Sequence, residues 1–328
     1  MYFRFNKFCC FIIITALIAG CERQSSSVND NDELPPAVPA GVNIFYSQDG
    51  KIGIEWILNN EYDIKSYQVY RSENDSLHFR LIASAYQDYF VDDSLDYDTT
   101  YFYYITALDN DNNESEPSKF VSAKPANKNN PGKPAYPEIN ARNWLDSISI
   151  YLSWANNPES DISHYEIHRS EQQDFTPGSE TLLGISLTNS YSDKYNLKLY
   201  TNYYYKIIAV DKGNLKSGAS DEIYDSIFEI PRLLYPSDKS LVNYFNYFLI
   251  KAVAVPAKYK IVLQTNEYFG EIWTKEFESN IVNDTISIIF DADYIELYKD
   301  YYWRIITYSN NSLKPNSISG LYRFTLKE

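Results

Sequence analysis

Two nine-residue stretches decide the fold: Tyr101-Phe102-Tyr103-Tyr104-Ile105-Thr106-Ala107-Leu108-Asp109 and Tyr203-Tyr204-Tyr205-Lys206-Ile207-Ile208-Ala209-Val210-Asp211. They are the same pattern, offset by 102 residues. In each, apolar residues at alternate positions mark a half-buried strand. Upstream, Ile52-Gly53-Ile54-Glu55-Trp56 and Ile64-Lys65-Ser66-Tyr67-Gln68-Val69-Tyr70-Arg71-Ser72 recur as Ile150-Tyr151-Leu152-Ser153-Trp154 and Ile162-Ser163-His164-Tyr165-Glu166-Ile167-His168-Arg169-Ser170, offset by 98. Strand-sized runs at this spacing, with turn residues between them, read as β-sandwiches. The composition agrees, since 32 tyrosines in a chain 16% aromatic favour strands. The chain is thus expected to be all-β.

Both repeats resemble fibronectin type III domains. The resemblance rests on the tryptophan of the second strand (Trp56, Trp154), the tyrosine of the third (Tyr67, Tyr165) and the Tyr-x-Tyr-x-Ile-x-Ala-x-Asp strand followed by a turn and serine. It also rests on a tyrosine-corner pattern, Leu95-Thr99-Tyr101 and Leu197-Thr201-Tyr203. The family implies that each corner tyrosine hydrogen-bonds back to backbone. The proline usual two positions after the leucine is replaced by Tyr97 and Leu199.

A third, divergent copy opens at Pro231-Arg232-Leu233-Leu234-Tyr235-Pro236. Phe248-Leu249-Ile250 stands where Phe-x-Trp is usual, Tyr259-Lys260-Ile261-Val262-Leu263 gives its third strand, and Tyr301-Tyr302-Trp303-Arg304-Ile305 carries its corner tyrosine, with Ile295 six before. Thr307-Tyr308-Ser309 replaces the Ala-x-Asp ending. The expected organisation is a segment 1–20, a tether 21–37, sandwiches 38–126 and 134–229 joined by a linker 127–133, and a divergent sandwich 230–328. So few residues separate the second and third that their junction should be the stiffer one. Trp56, Tyr67, Tyr101, Trp154, Tyr165, Tyr203, Tyr259 and Tyr301 are the expected core.

The N-terminal segment has Arg4 and Lys7, an apolar run from Phe8 to Ala16, and Leu17-Ile18-Ala19-Gly20-Cys21. That is a secretory signal, short for a membrane span. Ile18-Ala19-Gly20-Cys21 resembles the lipobox of bacterial lipoproteins. The resemblance implies cleavage before Cys21, diacylation of its sulfur, and attachment to the bacterial cell envelope, at the periplasmic or surface face of the outer membrane. All three cysteines, Cys9, Cys10 and Cys21, lie in or at the end of this segment, so no thiol remains for a disulfide or a nucleophile. The tether holds Ser25-Ser26-Ser27, Asn29-Asp30-Asn31-Asp32-Glu33 and Pro35-Pro36, too few apolar residues to offset ordering entropy.

The net charge is −15, and two units more negative once Arg4 and Lys7 are removed. A surface so acidic argues against nucleic acid. No phosphate loop, dinucleotide fingerprint or nucleophile elbow is present. His164, Glu166 and His168 share one strand face. However, their imidazoles would stand roughly 13 Å apart, too far for one ion. Asp109-Asn110-Asp111-Asn112-Asn113-Glu114 opens like a calcium loop, but Glu114 stands where glycine is required and Phe120 where glutamate is. No metal, cofactor or catalytic set is therefore assigned.

One feature invites binding. If Tyr101 and Tyr103 face the core, Phe102 and Tyr104 face outward, and Gln68 and Tyr70 do so on the neighbouring strand. Tyr70, Phe102 and Tyr104 are thus a candidate aromatic patch, either a partner surface or cross-strand pairing within the sheet. The equivalent positions in the second repeat are His168, Tyr204 and Lys206. Aromatic side chains lining a groove would point to a glycan, whereas a spacer needs none. The expected function is non-catalytic display of the modules to a protein or polysaccharide ligand, or alternatively a structural spacer or an accessory subunit of a glycan-degrading or secretion system.

Overall fold

The computed structural model describes residues 33–144, 147–292 and 295–328. The signal segment, Cys21 and residues 22–32 of the tether lie outside the described residues. The described end of the tether is held by the first sandwich. The Ala37 N–H donates to Glu61 Oε1 at 2.8 Å, and Asn59 Nδ2 donates to the Ala37 carbonyl at 2.7 Å.

The first sandwich comprises β1 (Ala40–Gln48), β2 (Lys51–Ile57), β3 (Ile64–Glu73), β4 (Arg80–Ala85), β5 (Tyr89–Asp92), β6 (Tyr101–Asp109) and β7 (Val121–Ala123). A three-stranded sheet, β1-β2-β5, faces a four-stranded sheet, β4-β3-β6-β7. The second repeats this order with β8 (Glu138–Trp144), β9 (Ser147–Ser153), β10 (Ile162–Ser170), β11 (Leu182–Ser186), β12 (Ser190–Asp193), β13 (Asn202–Asp211) and β14 (Ile223–Ser226). Its sheets run β8-β9-β12 and β11-β10-β13-β14. This three-against-four strand order is that of a fibronectin type III-like module.

The third sandwich is built from β15 (Arg232–Tyr235), β16 (Ser240–Val242), β17 (Tyr247–Lys251), β18 (Ala257–Gln264), β19 (Glu271–Ser279), β20 (Thr285–Ile289), β21 (Asp300–Tyr308), β22 (Ser317–Ile318) and β23 (Tyr322–Leu326). The sheet β15-β17-β20 faces one containing β19-β18-β21, with β22 and β23 both on the far side of β21.

Three separate apolar cores follow from the alternation. Trp56 packs on Tyr67 at 5.4 Å between ring centroids, and Trp154 on Tyr165 at 5.1 Å. Tyr101, Tyr203, Tyr259 and Tyr301 are likewise buried. In the third core the buried Ile250 stands at the tryptophan position. Bulk returns from the opposite sheet, where Trp303 meets Phe248 at 4.9 Å. The corner tyrosines all accept a backbone N–H: Asp96 to Tyr101 at 3.0 Å, Lys198 to Tyr203 at 2.9 Å and Glu296 to Tyr301 at 2.8 Å.

After each long tyrosine-rich strand the chain turns and returns as serines rather than as a regular strand. Ser118 donates its N–H to the Ile105 carbonyl, and its Oγ accepts the Ile105 N–H at 3.0 Å. Ser220 does the same for Ile207, and Ser319 for Ile305. The hydroxyl thereby satisfies a buried N–H that would otherwise have no ladder partner.

Both junctions are packed. Asp49, at the β1–β2 turn, accepts the N–H groups of Lys128 and Asn129 at 2.9 and 2.8 Å. The stretch expected as a linker is thus held against the first sandwich. Tyr97, at the position usually occupied by proline, donates its hydroxyl to Asp161 of the second sandwich. At the next junction β22 pairs in parallel with β8, so the sheet β12-β9-β8 runs on into β22-β21-β18-β19 of the third sandwich. Asn316 secures it. Its carbonyl accepts from the Asn143 N–H at 2.8 Å and from Trp144 Nε1 at 3.2 Å, while its side chain accepts the Phe228 N–H and donates to the Ser226 carbonyl.

Candidate functional site

The candidate aromatic residues lie on the outer face of β3 and β6. Tyr70 and Tyr104 are opposite each other in the register, and Phe102 is opposite Ser72. The tyrosine rings stack at 4.6 Å. Two residues outside the alternating strands then cover the group: Phe79 sits 4.6 Å from Tyr104, and Phe120 sits 5.8 Å from Phe102. Tyr70, Phe102 and Tyr104 are consequently half-buried rather than exposed. Tyr70 and Tyr104 cluster with Phe79, and Phe102 pairs separately with Phe120. Gln68, on the same face, is buried beneath hydrogen bonds to Ser66 and Ser84.

The polar edge of this group is internally satisfied. Tyr70 donates to Glu114 Oε1 at 2.8 Å, and Thr106 donates to the same oxygen at 2.5 Å. Burial, together with the Glu114 carboxylate beside it, pushes the Tyr70 phenol up to about 12. In the second sandwich the equivalent face is closed in the same way. His168 and Tyr204 are buried, Tyr204 stacks on Tyr224 at 5.0 Å, and Lys206 donates to the Phe175 carbonyl while lying over its ring.

The metal-like groups are also consumed by structure. Asp109 accepts from the backbone and side chain of Asn113, so its carboxylate closes the turn. His168 Nε2 lies 3.6 Å from Glu166, whose carboxylate is held by Lys216 at 2.7 Å. Burial drives the His168 imidazole below its ordinary value, against the pull of Glu166. Among the described residues no group of three or more histidine, cysteine, aspartate or glutamate side chains converges to hold an ion.

The sequence reading missed the open concave surface. A sandwich alone offers little concavity, but the second and third sandwiches meet beside a cleft of about 420 Å³ lined by Trp144, Ile230, Glu267, Arg304 and the bend Ile318–Leu321. A second cleft of about 510 Å³ adjoins it, sharing Glu267 and Leu321 and adding Asp238, Lys239, Tyr268, Tyr302 and Arg323. The available signal was the parity of β21: with Tyr301, Trp303 and Ile305 in the core, Tyr302 and Arg304 must face out.

No family model matches the sequence, and no curated protein matches it. Among solved structures, the chicken CNTN1 FN1-FN3 domains align over 90% of this chain and 100% of their own, with 12% identity and a TM-score of 0.35. The three-module architecture here rests on the sheets and cores described above. The class these define is a tandem array of fibronectin type III-like β-sandwiches.

Proposed function

We propose that this chain is a non-catalytic, lipid-anchored cell-envelope protein that projects its modules to bind a protein or polysaccharide. The anchor would be the lipid on Cys21, in the outer membrane. The observation that carries the reading is the packing of both junctions. Tyr97 against Asp161 and Asn316 across the β8–β22 pair tie three modules into an array suited to holding a surface away from its attachment point. The lipobox-like Ile18-Ala19-Gly20-Cys21 supplies the attachment. A net charge of −15 disfavours an anionic bilayer as the contact surface, leaving the lipid to hold the protein.

The test has two parts. Cys21→Ala should abolish palmitate labelling and release the protein from carbonate-washed membranes; continued labelling and membrane retention refute the anchor. Affinity capture from the native envelope should then recover a partner that survives washing.

A spacer reading is favoured by one specific observation, the covering of Tyr70, Phe102 and Tyr104 by Phe79 and Phe120. Changing all three to serine separates the readings. Loss of folded first sandwich assigns them to sheet packing, whereas loss of capture with the fold retained assigns them to recognition.

A further inference from the structure

We infer that the paired clefts beside the junction of the second and third sandwiches are a binding site for a neutral polysaccharide chain. The inference rests on the proposed binding role and names its site and ligand class.

The first argument is the unspent polar chemistry. Arg71, Arg80, Arg169 and Arg323 each pair with a carboxylate. Arg304 does not. Its one hydrogen bond is a long one, 3.5 Å from Nη2 to Gln264 Oε1, and its buried Nε has no partner among the described residues. In a chain with 44 acidic and 29 basic residues, a guanidinium lining a cleft without a carboxylate partner is a donor held for something else. Glu267 lines the same cleft and supplies an acceptor. The adjoining cleft adds Asp238 and Lys239, so both signs of charge line the pair: a carboxylated ligand would meet Glu267 and Asp238, and an amine would meet Arg304 and Lys239. Hydroxyl groups both donate and accept, so they satisfy the two together.

The second argument is the aromatic lining. Trp144 is held rigidly: its Nε1 donates to the Asn316 carbonyl, and the Arg142 guanidinium lies 5.0 Å from its ring centre. Tyr302 and the 86%-exposed Tyr268 line the adjoining cleft. Aromatic faces spaced along a groove, with polar groups between them, suit successive sugar rings, each of which offers an apolar C–H face and equatorial hydroxyls.

The third argument excludes an added peptide strand. Tyr302 and Arg304 are on β21, an interior strand. It pairs with β18 along one side and with β22 and β23 along the other. The groove floor therefore presents side chains and few unpaired backbone groups, which strand addition would require.

The test is native affinity electrophoresis of the full chain in gels containing soluble starch, mixed-linkage β-glucan, arabinoxylan or galactomannan, with alginate as the anionic comparison. At least one neutral polysaccharide should retard the parent. Trp144→Ala, Arg304→Gln and Tyr268→Ala should each weaken the apparent Kd by about tenfold or more, as for a central contact. Gly320→Tyr should also abolish retardation with the thermal midpoint kept. A Cβ at 320 meets nothing within 4 Å and Gly320 lines the cleft, so a tyrosine there fits without displacing the fold and narrows the cleft mouth. The inference is overturned if no neutral polysaccharide retards the parent, if only alginate does, or if the four variants migrate as the parent does. An envelope partner captured equally by parent and variants would sink this site and leave the binding role standing; no partner and no retardation would sink both.

Discussion

The most informative single residues are a trio, a buried aspartate and tyrosine with a half-buried arginine, that recurs in the first two sandwiches. Arg71 on β3 pairs with Asp92 on β5 at 3.0 Å, and Tyr103 on β6 donates to the same carboxylate at 2.8 Å. Arg169, Asp193 and Tyr205 repeat this at 2.7 and 2.6 Å. Since β3 and β5 belong to opposite sheets, the ion pair fixes how the sheets face each other. Asp92→Asn should cost about 3 kcal/mol by denaturant unfolding, the low end for a broken buried pair because 16% of the Arg71 side chain still meets solvent. No change in the midpoint would mean that the pair contributes nothing net. A second prediction concerns His168. Its folded value lies below its unfolded value near 6.5, so the unfolded chain takes up the proton first. Stability should hold above about pH 6.5 and fall as the pH drops below it. His168→Gln should flatten the part of that fall between pH 7 and pH 5; an unaltered pH profile would exclude this residue as the cause.

At the scale of elements, period-two alternation made much of the fold legible. Tyr101, Tyr103 and Ile105 face the core, and Phe102 and Tyr104 lie on the opposite face of β6. Alternation specifies a face, not what lies over it. Phe79 and Phe120 come from segments without strand periodicity, so the covering of the aromatic face could not be read. The serine return was half legible, as a serine after each turn. Its physical content is that a hydroxyl replaces a strand's backbone acceptor. Ser118→Ala should therefore strand the Ile105 N–H and cost about 1–3 kcal/mol, with Ser220→Ala and Ser319→Ala costing similar amounts. Equal stability of parent and alanine variants in equilibrium unfolding would show that the hydroxyls are dispensable.

At the scale of the whole molecule, sequence reasoning placed three modules but not how they grip each other. Tyr97 finds Asp161 64 residues away, and Asn316 finds Phe228 88 residues away. Single side-chain bonds over such separations leave no periodic trace. The absent proline at position 97 was visible, but its reason emerges only at the junction, where a tyrosine reaches the neighbouring sandwich. Asn316→Ala removes two side-chain hydrogen bonds and leaves the Phe228 N–H buried. It should broaden the distance between spin labels placed on the second and third sandwiches. An unchanged distance distribution would assign the rigidity to the β8–β22 pair alone.

The shared sheet also sets where this protein can be divided. Cutting the chain near residue 230 would bare the outer side of β8 and remove the acceptor for the Asn143 N–H. A freed strand edge is a template for self-association. The second sandwich produced alone should therefore clump or dimerise through β8, while a fragment carrying both sandwiches stays dispersed. For recombination, natural or engineered, the portable cassette is the pair.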